Sequence, residues 1–456
     1  MKHFFSLLLL LCFSTLHAQQ PWSLRQCIEH ALSHNIAVQQ KTKTVENNKI
    51  ELNTARNSRL PDLHASANQS FNFGRGLTSD NTYANRNTRS TSFDIGSSIP
   101  LYTGGQISNT IAAQRINLQA AMADLQKARE DISLQVASAY LEVLYQKELL
   151  TAAQHQVELS QEQLRRAESL YQNGKTSPAE VAEAQSTLAN DELSLTQHQN
   201  TLQLTLLDLS QLLELPSPDG FDIENPTNSN EIPITIDGTP TDSSSVLLNI
   251  EQRPAIQAEQ LRLQSAQKSI RIAQSGYYPT VSLSAGLGSS YYKTSGFDAD
   301  NFGDQLSNNF NRYIGLSLSV PIFNRYTTRN QVRQARLQAE NQQLVLDNAR
   351  KTAYKEVQQA YYNASTAQKQ YTASIIAEEA AHTAFNLMQK KFDNGKANHT
   401  QYQEARTRHL KAITTLLQAK YTFLFRQKIL NFYRGEPLYC HDNGNFCKEK
   451  ANIGRV

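Results

Sequence analysis

Four cysteines, three methionines and one tryptophan are spread over 456 residues, too few cysteines for a disulfide scaffold. Aromatic residues make up 8% and apolar residues of all kinds 39%, below the ~45–50% of ordinary globular domains. Length alone suggests two or three domains. The shortage of apolar residues argues instead for an elongated chain that buries surface against copies of itself. Past the N-terminus no run approaches the ~18 apolar residues of a membrane-spanning helix, which excludes a polytopic helical membrane protein. Glycine, at 18 residues, excludes collagen. Neither sign of charge dominates: 44 Lys+Arg stand against 41 Asp+Glu. A net charge of +3 supplies no basic field for nucleic acid and no acidic tail.

Residues 1–18 read as a secretory signal. Lys2 and His3 are followed by an apolar core over 4–16, and Leu16-His17-Ala18 offers a cleavage site before Gln19. Leu11 before Cys12 is not the small residue of a lipid-attachment site. The mature chain then works outside the cytoplasm with Cys27, Cys440 and Cys447. The last two are spaced to close a short loop or to stay free; spacing alone does not set the geometry.

The chain repeats itself. Asn-Gly-Lys occurs at 173–175 and again at 394–396, an offset of 221. At that offset Pro100 falls on Pro321, Arg115 on Arg336 and Glu183 on Glu404; Pro61 falls near Pro279. The first repeat covers 19–215, with strands at about 62–73 and 91–102, a long helix over 106–171 and a return helix over 178–215. A Pro-, Ser- and Thr-rich linker over 216–245 excludes helix. The second repeat covers 246–434, with strands at about 280–292 and 312–322, a long helix over 326–392 and a return helix over 399–434. Residues 435–456 form a tail.

The long segments repeat in sevens. Val136, Val143, Leu150, Val157, Leu164 and Tyr171 form one row, with Ala139, Gln146, Ala153, Ser160 and Ala167 beside it. Val357, Ala364, Tyr371, Glu378, Phe385 and Phe392 form its counterpart, and the return helix carries Tyr402, His409, Leu416, Phe423 and Leu430. A sustained heptad imposes left-handed supercoiling. At 1.5 Å per residue the segment over 106–171 is about 100 Å long as a helix. A water-filled lumen and a plain solvated coiled coil both fit its Gln-, Asn-, Ser- and Thr-rich outer faces.

The short segments alternate. Leu63, Ala65, Ala67, Phe71 and Phe73 oppose His64, Ser66, Asn68, Ser70 and Asn72; Phe93, Ile95, Ile99 and Leu101 oppose Ser92, Asp94, Gly96 and Ser98. Val281, Leu283, Ala285 and Leu287, then Ile314, Leu316, Leu318, Val320 and Ile322, repeat the pattern. Period two over about ten residues is the length of a tilted strand crossing a bilayer. A soluble sheet packed on something apolar is the plainer alternative. Polar loops over 74–91 and 293–311 favour the membrane. Four strands cannot close a barrel and an open edge does not survive in lipid, so several chains must share one wall.

In the order and spacing of these features, the chain resembles the TolC family of outer-membrane channels over essentially its whole mature length. The resemblance implies a mainly α fold: a long antiparallel α-helical barrel continuous with a trimer-shared, twelve-stranded outer-membrane β-barrel, four strands per chain. It implies a homotrimer acting as the passive exit duct of a tripartite efflux or type I secretion system. Its partners would be a periplasmic adaptor (membrane fusion) protein, an inner-membrane transporter and outer-membrane lipid. By resemblance, Gly174, Lys175, Gly395 and Lys396 form the turns that meet the adaptor, and Glu180, Glu183, Phe392, Lys396, Gln401 and Glu404 surround the periplasmic gate. Gln401 stands where the family places an acid, which weakens any cation-binding ring. The links that tie the family's closed state match Ala179, Glu180, Phe392 and Lys396. Phe392 and Ala179 lack the oxygens for them, so the gate is looser or is tied differently; Glu180 and Glu183 can pair with Lys396 or Lys175, or remain exposed charges at a helix start.

Nothing asks for an enzyme or a cofactor. Cys27, His30 and His34 share a helical face but lack a fourth metal ligand, and read as ordinary residues on the surface of a helix. Arg75-Gly76 and Gly286/Gly288 lack the strand-to-helix context of a phosphate loop. The rival function is a soluble periplasmic coiled-coil adaptor, which has no use for four bilayer-length strands; an export-linked enzyme comes third. The cargo is not written in the sequence, since a water-filled tunnel needs little chemical selectivity.

Overall fold

A computed structural model of the chain describes residues 21–77, 81–225 and 250–435. The export signal, the pair Cys440 and Cys447, and residues 226–245 of the linker lie outside the described residues. In chain order the elements are α1 (Leu24–His34), α2 (Ile36–Asn57), β1 (His64–Leu77), β2 (Tyr83–Thr103), α3 (Gln106–Gln172) and α4 (Pro178–Leu212). Then follow α5 (Pro254–Gln274), β3 (Thr280–Thr294), α6 (Phe302–Asn308), β4 (Asn311–Ser319), α7 (Thr327–Asp393) and α8 (His399–Arg434). They divide into two units, one of residues 1–42, 125–254 and 350–456, the other of 43–124 and 255–349.

The first unit is helical. The heptad rows are buried as the supercoil requires: Val136, Val143 and Val157 on α3, and Val357, Ala360, Ala364, Ala367 and Phe385 on α7. Its core gathers Cys27, Ile28 and Ala31 of α1, Val136, Tyr140, Val143 and Leu144 of α3, Leu206, Leu209 and Leu213 at the end of α4, and Tyr421 and Leu424 of α8. Trp22 and Ile223 form a parallel bridge beside it. The buried Tyr140 hydroxyl lies 2.7 Å from the Glu224 carbonyl, and Lys147 donates to the Ile223 carbonyl (2.8 Å). Cys27 belongs to this core and not to a helix surface: it is fully buried.

Two local features set where these helices end. The opening helix breaks at Asn35, whose side chain donates to the Leu212 carbonyl (3.1 Å) and accepts from the Ala37 amide (3.0 Å). An Asx side chain that binds backbone competes with helix continuation. α4 stops at Leu212 and not at 215: Glu214 turns left-handed (φ 56), Leu215 donates back to the Ser210 carbonyl (3.0 Å), and Pro216 follows. The Glu214 carboxylate then accepts from the Ile36 amide that opens α2 (3.2 Å).

The second unit holds the sheet, antiparallel in the order β1-β2-β3-β4. Its register aligns the apolar rows across strands: Ala65 opposite Ile95 opposite Leu287, and Ile99 opposite Leu283 opposite Leu316. This row is open to solvent: Phe73, Ile314, Leu316 and Leu318 are 65–78% exposed. A bulge between Pro100 and Tyr102 makes Leu101 the extra residue and sets Tyr102 opposite Val281. Proline, with no N–H to give the ladder, sits at such a bulge without loss.

The expected loop over 74–91 is largely strand. β1 and β2 stay paired up to Leu77 and Tyr83, held by backbone bonds and by Ser70–Ser90 and Asn72–Thr88 side-chain contacts. Both faces are polar there, so no alternation announces the strand. The expected loop over 293–311 contains α6. From it the Gln305 amide accepts from the Tyr292 N–H (2.9 Å) and donates to the Tyr292 carbonyl (3.1 Å). β4 pairs no higher than Gly288, so this amide stands in for the missing strand. β4 ends at Ser319 and not at 322, because its partner β3 begins at Thr280 and Pro321 cannot donate.

If the exposed apolar row faces hydrocarbon, Leu316→Arg should cost about 2–4 kcal/mol in protein refolded into lipid vesicles, with Ser317→Arg on the other face costing much less. Denaturant titration of both variants measures it; equal losses would refute the face assignment.

Candidate functional site

The two helical returns are built alike. Lys175 donates to the Leu170 carbonyl and Gly174 to the Tyr171 carbonyl (both 2.9 Å); Lys396 donates to the Lys391 carbonyl (2.8 Å) and Gly395 to the Phe392 carbonyl (3.0 Å). This Schellman pattern needs a left-handed residue after the helix. Gly174 (φ +66) and Gly395 (φ +68) supply it, at a conformation costing other residues ~1–2 kcal/mol. No atom lies within 4 Å of where either Cβ would stand, so the demand is on the backbone and not on space. Lys175 and Lys396 are exposed beside these turns.

The residues flagged from the sequence fall into three settings. Glu180 accepts from the Thr176 hydroxyl one turn back, and Glu183 lies 3.6 Å from the His399 imidazole. Neither pairs with Lys175 or Lys396, because the lysines stand on the exposed turns while each carboxylate has a nearer partner. Gln401 closes a capping box: its amide N–H donates to the Asn398 side chain (2.8 Å) and its side chain accepts from the Asn398 N–H (3.2 Å). Glu404 lies 3.6 Å from Arg408, both largely exposed, a pair worth well under ~1 kcal/mol.

Phe392 stands at the centre of the third setting. Its ring stacks on Tyr402 (4.8 Å, 26°) and meets the edge of His399 (6.0 Å). The Arg166 guanidinium of α3 lies 5.9 Å over the same ring, pairs with the Asp393 carboxylate and donates to the Asp393 carbonyl (3.0 Å). Gln163 of α3 donates to the Tyr402 hydroxyl. Burial pushes the Tyr402 phenol above its ordinary range, so it stays a neutral acceptor. The two hairpins are therefore in contact through Gln163, Arg166, Asp393 and Tyr402 as well as through Phe392 and Glu183, which the resemblance supplied. Farther from the turns Arg406 of α8, 7% exposed, pairs with Asp191 of α4, 15% exposed. The Ser160 hydroxyl of α3 lies 2.5 Å from the same carboxylate, and the network orients the Gln156 amide with its oxygen on Arg406. Gln163, Arg166, Asp191, Asp393 and Arg406 all escaped the sequence argument. Their one signal was charge or amide beside an apolar heptad, which solvated faces also show.

Cys27, His30 and His34 make no metal site. Cys27 is fully buried in the helical core, and burial pushes its thiol up to about 12. The two imidazoles stack on each other at 4.1 Å.

The chain matches the family model described as outer membrane efflux protein over residues 27–214 and 248–435, one block in each repeat. It belongs to that family. Outer membrane protein TolC of Salmonella enteritidis is 23% identical over 432 residues, 93% of this chain and 83% of its own. Outer membrane protein OprJ of Pseudomonas aeruginosa is 23% identical over 435 residues, 92% of this chain and 87% of its own. The crystal structure of the outer membrane protein VceC from Vibrio cholerae superposes with a TM-score of 0.73 at 20% identity, covering 91% of this chain and 96% of that one, a likeness of fold. This outer membrane efflux protein is accordingly an exit channel of the outer membrane with its helices in the periplasm, and the soluble-adaptor alternative falls. The family's members are channels and not enzymes.

Asp191→Ala leaves Arg406 buried and unpaired and should destabilise the protein by about 3–5 kcal/mol, whereas Asp191→Leu with Arg406→Met should come close to neutral. Chemical denaturation ranks them; an equal loss in both would show that the pair's burial is not what matters.

Proposed function

We propose that three copies of this chain close one twelve-stranded barrel and form the passive exit duct of a tripartite efflux or type I secretion system, fed by an inner-membrane transporter through a periplasmic adaptor protein. The observation that carries this is the sheet: β1 and β4 have free outer edges among the described residues while an apolar row faces outward. In hydrocarbon each unpaired backbone group costs several kcal/mol, and further copies of the same sheet are the means at hand to remove the edges. The two-repeat order of the elements supports dividing the chain at the linker into equivalent halves. The exposed turns Gly174-Lys175 and Gly395-Lys396 are the surface proposed to meet the adaptor. The proposed gate comprises Glu180, Glu183, Phe392, Lys396, Gln401 and Glu404, with Arg166, Asp393 and Tyr402 as its ties. Gln401 is occupied by its own cap and Glu404 is shared with Arg408, which favours a weakly cation-selective constriction.

Electron microscopy of the detergent-solubilised protein tests the assembly: threefold particles are expected, and monomers with a water-exposed sheet would end the proposal. Gly174→Val and Gly395→Val should each lower export with the trimer intact, through ~1–2 kcal/mol of backbone strain at the turn. Export assays beside native gels read both outcomes, and undiminished export would remove the turns from the mechanism.

A further inference from the structure

The heptad rows of α7 and α8 are apolar with two interruptions. Glu378 falls in the row of Val357, Ala364, Tyr371, Phe385 and Phe392, and His409 falls in the row of Tyr402, Leu416, Phe423 and Leu430. Polar residues in such rows cost stability unless they have a purpose there. The two interruptions meet: His409 Nε2 lies 3.4 Å from Glu378 Oε1, with the side chains 15% and 25% exposed. A third group joins them. His382, one turn on from Glu378 and on the same face of α7, places Nδ1 3.1 Å from the same His409 Nε2. All three ligand atoms lie within 4.8 Å of one another.

Two of these separations, 3.4 and 3.1 Å, are close to the edges of a coordination tetrahedron. An ion held at ~2.0–2.1 Å by each ligand sets neighbouring ligand atoms roughly 3.3–3.4 Å apart. Two imidazoles and one carboxylate are the donor set of a borderline divalent cation such as Zn²⁺, with the fourth position left for water. The surroundings fix the donors. Phe385 stacks on the His409 ring at 5.2 Å and 22°. Asn386, one turn beyond His382, bonds its other nitrogen, Nε2, at 2.9 Å. With a metal on Nδ1, the amide presents its oxygen to the Nε2–H, the outer bond that metal-binding histidines carry.

We propose that Glu378, His382 and His409 form a site for a divalent transition-metal ion that clasps α7 to α8 within the second hairpin. It stands apart from the turns and from the gate residues, and it does not depend on what the channel carries. Because two ligands come from α7 and one from α8, an ion bound there stabilises the hairpin by its own binding free energy.

The test is calorimetric titration of the full-length protein, purified in detergent without a histidine tag, with ZnCl₂. The wild type should show one site per chain that the His382→Gln/His409→Gln double variant lacks. Each single His variant should lose at least ~10-fold in affinity, and Asn386→Ala about 10-fold. Zn²⁺ should raise the Tm of the wild type and leave that of the double variant unmoved. Co²⁺ should give the intense visible bands of a four-coordinate ion in the wild type alone. His30, His34 and His155 are kept in every variant, so weak binding elsewhere cancels. His382 is exposed, so His382→Gln carries the test if the double variant fails to fold. Zn²⁺ bound equally by wild type and His382→Gln, or not bound by the wild type, would overturn the site.

Discussion

A backbone N–H or carbonyl in hydrocarbon has no water to fall back on, and this single constraint orders the rest of the molecule. Four strands carry an apolar row outward and leave two edges open, a combination that neither water nor lipid tolerates in one copy. The remedy dictates the composition. In the proposed assembly a wall completed by sister chains needs little internal core, in keeping with 39% apolar residues among 456. The apolar surface is placed where lipid or a neighbouring helix takes it. Gln305 shows the same constraint at the scale of one residue: where β4 stops short, a side-chain amide takes over both bonds of Tyr292.

In the helical unit the problem is reversed. Helices satisfy their own backbones, so their packing is decided by side chains, and the heptad supplies it. Small residues beside the rows, among them Ala153, Ser160, Ala367 and Ser374, are buried and let helices approach closely. The polar members of these rows are then conspicuous, because a helix pair built of Val, Ala and Leu has no need of them. Ser160 reaches the Asp191–Arg406 pair, and Glu378 reaches His409 and His382. In each case a polar residue in an apolar row marks a cross-helix contact that fixes one register among several the heptad permits.

Periodicity made most of this architecture legible. Sevens located the long helices and twos located the bilayer-length parts of the strands, because each period reports a face that meets something apolar. Where both faces meet water the signal vanishes, and there the strand over Tyr83–Arg89 passed for loop. The break at Asn35 depended on a carbonyl 177 residues away, at Leu212, and the bulge at Leu101 on the register of β3; neither is a local property. The contacts between the hairpins were hidden for a related reason. Phe392 was correctly seen to lack the hydroxyl that the resemblance called for, but that Arg166 would reach over its ring to Asp393 depends on how α3 meets α7.

Burial ranks two of the ion pairs between the hairpins. Arg166 and Asp393 are each nearly half exposed, so water competes for both charges and the pair contributes at most ~1 kcal/mol. Arg406 and Asp191 are withdrawn from water, and separating them leaves one charge stranded at a cost of about 3–5 kcal/mol. Water therefore competes most for the Arg166–Asp393 contact, near the glycine turns, and least for the Arg406–Asp191 contact. The stacked rings of Phe392 and Tyr402, both of the second hairpin, lie beside the weaker tie. For the proposed gate, the labile contact lies near the tip and the firm one within the heptad seam, one ion pair being withdrawn from water and the other left outside.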